Sequence, residues 1–138
     1  MNNPIKVGLV GFGMSGQLFH APFIDVNENF ELKKVVERHD QNSLEYYPYV
    51  EIVNSFDALL SDNEIQLIVI TTPNIFHYKQ TKKALLAGKH VVIEKPFTPT
   101  AKEAQELIDL AKEQKRQIFV FQNRRWDGDF LTIKKILQ

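Results

Sequence analysis

The chain has 138 residues, 43% of them hydrophobic, and its 17 Lys+Arg balance 17 Asp+Glu to a net charge of zero. That length suits about one domain with a real core, and the balanced charge offers no field for nucleic acid or anionic lipid. Zero cysteines exclude a disulfide scaffold, a thiolate metal site, an iron–sulfur cluster and a cysteine nucleophile.

No apolar run nears the roughly 20 residues of a membrane span, and Met1-Asn2-Asn3-Pro4 lacks the basic and apolar regions of a secretory signal. A soluble, cytoplasmic chain is expected. Ile5 to Val10 predicts a buried strand, followed by glycines and an amphipathic helix over about Ser15 to Val26. Phe30 to Val36 predicts a second strand ending at Glu37-Arg38, Tyr49 to Val53 a short third, and Ser55 caps a short helix carrying Phe56, Leu59 and Leu60. Leu67-Ile68-Val69-Ile70, continuous and β-branched, predicts a fully buried strand that breaks at Thr71-Thr72-Pro73. The next helix takes Asn74 as N-cap and Gly88 as the residue past its last turn. Val91-Val92-Ile93 is a fifth strand. A Thr100-x-x-Glu103 capping box then opens a helix to about Gln114. Ile118 to Phe121 is a sixth strand, and Phe130, Ile133, Ile136 and Leu137 mark one face of a last helix from Asp127. Strands alternating with helices imply parallel pairing and right-handed crossovers, hence an α/β, doubly wound parallel (Rossmann) sheet of about six strands with helices on both faces.

Gly11-Phe12-Gly13-Met14-Ser15-Gly16 follows the first strand and opens a helix. In this pattern Gly11 makes the tight turn, Gly13 admits a pyrophosphate and Gly16 lets helix and strand pack. The free N–H groups of the helix start favour phosphate charge. Glu37 lies 21 residues after Gly16, where an acid accepts hydrogen bonds from the adenosine ribose and favours NAD. Arg38, next to it, is the residue type that accommodates the 2′-phosphate of NADP. The two point to different nucleotides, with a slight tilt to NAD. As plain structure, Glu37 is a solvated charge at a strand end, and Arg38 another.

Glu94-Lys95-Pro96 follows the fifth strand, at the sheet end where open α/β sheets bind ligands. A lysine there can orient a hydroxyl and share its proton. The segments Gly11-Phe12-Gly13…Gly16 with His20-Ala21-Pro22, Thr71-Thr72-Pro73-Asn74 with His77, Ala87 to Pro96, and Asn123-Arg124-Arg125-Trp126-Asp127 together resemble the Gfo/Idh/MocA family. These are NAD(P)-dependent enzymes of the glucose–fructose oxidoreductase and inositol dehydrogenase type, and the last segment looks most like the scyllo-inositol dehydrogenase branch. The resemblance implies Lys95 as the catalytic residue against substrate and nicotinamide. It places Thr71, Thr72, Pro73 and Asn74, with His77 nearby, on the cofactor. It also implies Glu94 and Pro96 on the cofactor side, and Asn123, Arg125 and Trp126 towards the nicotinamide end. NAD and NADP both stay open.

His20 either lines the cleft or packs on the sheet, His77 either caps its helix or meets cofactor, and Trp126 either covers the nicotinamide or anchors the last helix. No histidines or carboxylates have metal-ligand spacing, so no metal is expected. The expected function is hydride transfer between nicotinamide and a secondary alcohol of a polyol, inositol or sugar. The alternative is a non-catalytic dinucleotide-binding sensor of the same fold. The resemblance implies a second α/β domain that carries the substrate pocket and oligomer contacts. On that expectation residues 1–122 are the NAD(P)-binding domain, and residues 123–138 begin the connection to the rest of a homo-oligomeric enzyme. The 138 residues then read as a fragment, able to bind nucleotide but not to turn over substrate alone.

Overall fold

The computed structural model describes residues 3–138. Its strands are β1 (Ile5–Val10), β2 (Phe30–Val36), β3 (Glu51–Val53), β4 (Leu67–Ile70), β5 (His90–Glu94) and β6 (Ile118–Phe121). They form one sheet of order β3-β2-β1-β4-β5-β6, parallel at every pairing. The chain starts in the middle, runs outward to β3, then returns to β4 and runs outward the other way. The order therefore reverses between β1 and β4, which opens a crevice at their carboxyl ends.

The helices are α1 (Ala21–Asp25), α2 (Ser43–Tyr46), α3 (Phe56–Leu60), α4 (His77–Leu86), α5 (Ala101–Glu113) and α6 (Gly128–Leu137). Side chains alternate between the sheet faces along each strand. On one face Val10, Val36, Ile68, Ile70, Val91 and Ile93 pack with Leu59, Ala84, Leu85, Leu107 and Ala111 of α3, α4 and α5. On the other, Val7, Leu9, Leu32, Val35 and Val69 pack with Ala21 and Ile24 of α1 and with Tyr47 and Val50. Beyond α1 this second face is less covered among the described residues, towards β5 and β6. An apolar recess of 780 Å³ lies there, lined by residues that include Val69, Val92, Phe121 and Trp126.

Several helix ends follow the expected chemistry. Thr100 and Glu103 form the reciprocal capping box, and the Ser55 side chain accepts the Ala58 N–H. Gly88 adopts φ 73°, a left-handed conformation that suits glycine. There the Lys89 and Gly88 N–H groups reach Ala84 O and Leu85 O, both at 2.9 Å. Lys89 is buried by this turn, and its ammonium donates to Asp62 O and Ile65 O, each at 2.8 Å. Burial lowers its pKa, Asp62 opposes that, and Arg116 adds to it.

Three local expectations change. The helix expected from about Ser15 is interrupted by a π-turn over Gly16–His20, in which Ala21 N–H reaches Gly16 O. The cause is Pro22, which has no N–H to continue an α-ladder. Asn74 is not a side-chain cap; it opens a 3₁₀ turn, Asn74–Phe76, ahead of α4. The Pro73 carbonyl takes the Phe76 N–H at 3.0 Å in place of a cap. The third strand is shorter than Tyr49 to Val53, beginning at Glu51 after the Val50 N–H has turned back to Tyr47 O at 3.1 Å.

The division between core and surface on α4 sets a stability test. Leu85 is fully buried and its neighbour Leu86 is 58% exposed. Leu85→Ala is expected to cost about 2–5 kcal/mol in urea unfolding, and Leu86→Ala no more than about 0.5 kcal/mol.

Candidate functional site

The carboxyl ends of β1, β2 and β4 frame a cleft of 720 Å³, whose lining includes Gly11, Gly13, Glu37, Arg38, Thr72 and Pro73. Gly11 takes φ 95°, closed to most side chains. A Cβ on Gly16 would lie 2.4 Å from Gly11 O, so the helix can approach the strand end only as glycine. A Cβ on Gly13 would meet nothing within 4 Å. Protein contacts explain Gly11 and Gly16; Gly13 borders open space, as a loop that receives a phosphate group requires. Thr71 fastens the loop to β4, its Oγ1 lying 2.9 Å from Val10 O and 3.1 Å from Gly11 O. The Phe12 ring is buried edge-on against Tyr47, whereas Met14 is exposed.

Glu94, at the end of β5, connects this loop to the Lys95 turn. Its Oε1 accepts hydrogen bonds from the Ser15 hydroxyl and from His20 Nε2, the latter at 3.0 Å. Its Oε2 accepts the Lys95 N–H at 3.2 Å. Burial pushes the Glu94 carboxyl pKa up, but the bonds from Ser15 and His20 outweigh it and hold the pKa below the usual range. His20 packs on Phe121, ring centroids 4.4 Å apart. Burial lowers its pKa, partly countered by Glu94. A neutral imidazole carrying its proton on Nε2 satisfies this arrangement. Lys95 is exposed, precedes Pro96 through a cis peptide, and forms no ion pair among the described residues.

His77 stands behind the cleft and not in it. It is 1% exposed, with Nδ1 2.8 Å from Pro96 O and Nε2 2.8 Å from Thr72 O. It therefore joins the turns after β4 and β5 through their backbones. Glu37 also differs from expectation. Its Oε1 takes the Asn42 N–H at 3.0 Å, and its Oε2 takes the Ser43 N–H at 3.2 Å and the Ser43 hydroxyl. Asn123, Arg125 and Trp126 are separate from the glycine-loop cleft, lining the apolar recess on the other side of the sheet end with His20. Trp126 is 74% exposed.

A glycine loop at the switch point, space above Gly13 and an unpaired lysine after β5, two strands along, stand at the same end of the sheet. The family model described as "Oxidoreductase family, NAD-binding Rossmann fold" matches residues 5–122. The chain belongs to the Gfo/Idh/MocA family. Among Gfo/Idh/MocA relatives, it is 41% identical over 133 residues to scyllo-inositol 2-dehydrogenase (NADP(+)) IolW of Bacillus subtilis strain 168, a match covering 96% of this chain and 37% of that protein. It is 30% identical over 115 residues to D-glucoside 3-dehydrogenase of Escherichia coli K12, covering 81% of this chain and 33% of that one. A crystal structure from Bacteroides fragilis NCTC 9343 matches at 57% identity with a TM-score of 0.91, covering 97% of this chain and 42% of its own. The chain thus spans about two-fifths of the length of these relatives, or less. No helix of the described residues is long and apolar enough to cross a membrane.

In this Gfo/Idh/MocA domain the bond of Ser15 to Glu94 and those of Glu37 to the start of α2 have no counterpart in the sequence motifs. Asn42-Ser43, a pair of cap-forming residue types shortly after Glu37, was the available signal for the second.

The two glycines separate folding from binding. Gly16→Ala is expected to lower the melting temperature through its clash with Gly11 O. Gly13→Ala leaves melting unchanged but weakens nucleotide binding at least tenfold by titration calorimetry. A pH test follows from His20. Its folded pKa lies below its unfolded value of about 6.5, so its contribution to stability is complete above pH 6.5 and is lost as pH falls through the folded value. His90, lowered by burial and by Arg116, acts in the same sense. The melting temperature is therefore expected to fall from pH 6.5 to pH 5, less steeply in His20→Gln.

Proposed function

We propose that residues 1–122 are the dinucleotide-binding domain of a longer dehydrogenase, and that residues 123–138 open the connection to its second domain. The reaction is oxidation of a secondary alcohol of a polyol, inositol or sugar, or its reverse. The observation that carries this reading is the placement of Lys95. Glu94 binds its backbone N–H and the phosphate-loop serine through one carboxylate, so the backbone that carries a cationic side chain is tied to the glycine loop.

Gly11 to Gly16 would hold the pyrophosphate and the residues after β2 the adenosine ribose, with Thr72 and Pro73 along the cleft wall. When bound, a nicotinamide dinucleotide supplies ring carbon C4 as the partner for a hydride. The chain's own part is at the alcohol oxygen. As the O–H proton of a carbinol leaves, negative charge grows on that oxygen, and it passes into the forming C=O bond as the hydride leaves carbon. The Lys95 amine would take up the proton that the hydroxyl gives up, and the ammonium so formed would stabilise the oxygen; in the reverse direction it returns that proton to the carbonyl oxygen as the hydride arrives. Glu94 and His20 position this lysine and do not touch the substrate. The substrate class is supported by the names of the relatives, an inositol dehydrogenase and a glucoside dehydrogenase, since both ligands are rings carrying several secondary hydroxyls.

The test uses the full-length protein, a panel of inositols and glucosides, and nicotinamide absorbance as the readout. Lys95→Met is expected to keep the dinucleotide Kd within about twofold and to lower kcat by about 10²–10⁴. Normal turnover by this variant would falsify the role given to Lys95, and absence of turnover on every polyol in the panel would remove the substrate class.

A further inference from the structure

We infer that the adenosine ribose site at the end of β2 is built for a 2′-phosphate, with Arg38 as the residue that selects NADP over NAD. This rests on the dinucleotide reading above and decides a question that the two adjacent charges leave open. The first observation concerns the acid. A carboxylate that selects NAD accepts hydrogen bonds from the ribose diol and repels a phosphate there. Glu37 occupies that sequence position but is only 9% exposed. Each of its oxygens is already engaged, one by the Asn42 N–H and the other by the Ser43 N–H and hydroxyl. Three donors on one carboxylate satisfy most of its acceptor capacity and offset its charge. Its function is to tie the loop after β2 to the first turn of α2.

The second observation concerns the cation. Arg38 is exposed, lines the same cleft, and has no ion-pair partner among the described residues. A guanidinium offers a planar fork of donors that matches two phosphate oxygens at once. Of the two other acids that line the cleft, one is already paired. Asp57 is held by Lys83 at 2.8 Å, which leaves Asp40, exposed on the same loop. His39 adjoins Arg38 and adds a second donor. The acid is therefore committed to the fold, and the base is free for a ligand.

Titration calorimetry on this chain tests the assignment with four probes: NADP, NAD, 2′,5′-ADP and 5′-AMP. NADP is expected to bind at least tenfold more tightly than NAD, with the same preference for 2′,5′-ADP over 5′-AMP, because the discrimination resides in one phosphate. Arg38→Ala is expected to remove that preference by weakening NADP and 2′,5′-ADP tenfold or more, with NAD and 5′-AMP within twofold and an unchanged melting temperature. Arg38→Lys, which keeps the charge and loses the fork, is expected to fall between the two. Equal or tighter binding of NAD, or an Arg38→Ala variant that weakens all four probes alike, overturns the inference while leaving the dinucleotide reading intact. Failure of every probe to bind overturns both.

Discussion

Three groups meet at the Glu94 carboxylate, at the end of β5: the Ser15 hydroxyl, the His20 ring and the Lys95 backbone N–H. A buried carboxylate carries a large desolvation cost unless it is hydrogen-bonded, so these partners are held where the carboxylate needs them. The consequence is geometric. The loop that would take phosphate charge and the turn that carries the lysine lie after different strands, β1 and β5, with β4 between them. One side chain crosses that gap and makes them a single piece. Thr71 on Gly11 and His77 across the two later turns repeat the pattern with backbone carbonyls. The carboxyl end of the sheet is thus braced by short polar contacts, and the face below it by apolar packing.

The architecture was legible from the sequence because period and punctuation agreed. The β-branched runs at Ile5 to Val10 and Leu67 to Ile70, the Thr100 capping box and Gly88 each state a local preference that the fold keeps. The helix after the glycine loop was less legible. Its apolar spacing reads as one continuous helix, and only the missing N–H of Pro22 forces the π-turn that carries His20 inward.

At the site, residue type told more than residue role. Gly11, Gly13, Gly16 and Lys95 stand where the motifs put them, since their function depends on backbone path and strand order. Glu37 and His77 also stand where expected, but their polar atoms face the protein. A motif specifies a position on the chain. The partners of a side chain depend on loops such as Asn42-Ser43, which no spacing rule reaches. Trp126, Arg125 and Asn123 show the same limit: adjacent to the end of β6 in sequence, they fall on the far side of the sheet from the glycine-loop cleft.

The unequal covering of the sheet has a mechanical meaning. On the side of α3, α4 and α5, side chains are packed to the density of a solid, and any bend in that direction must compress them. On the other side α1 covers the middle of the sheet as far as Val69 of β4, while β5 and β6 border an apolar recess among the described residues. Within the described residues, packing therefore opposes curvature towards α3, α4 and α5 more than curvature towards the recess. The less covered half carries the Lys95 turn at its rim, the glycine loop rises from the packed centre, and the Glu94 brace spans the boundary between them.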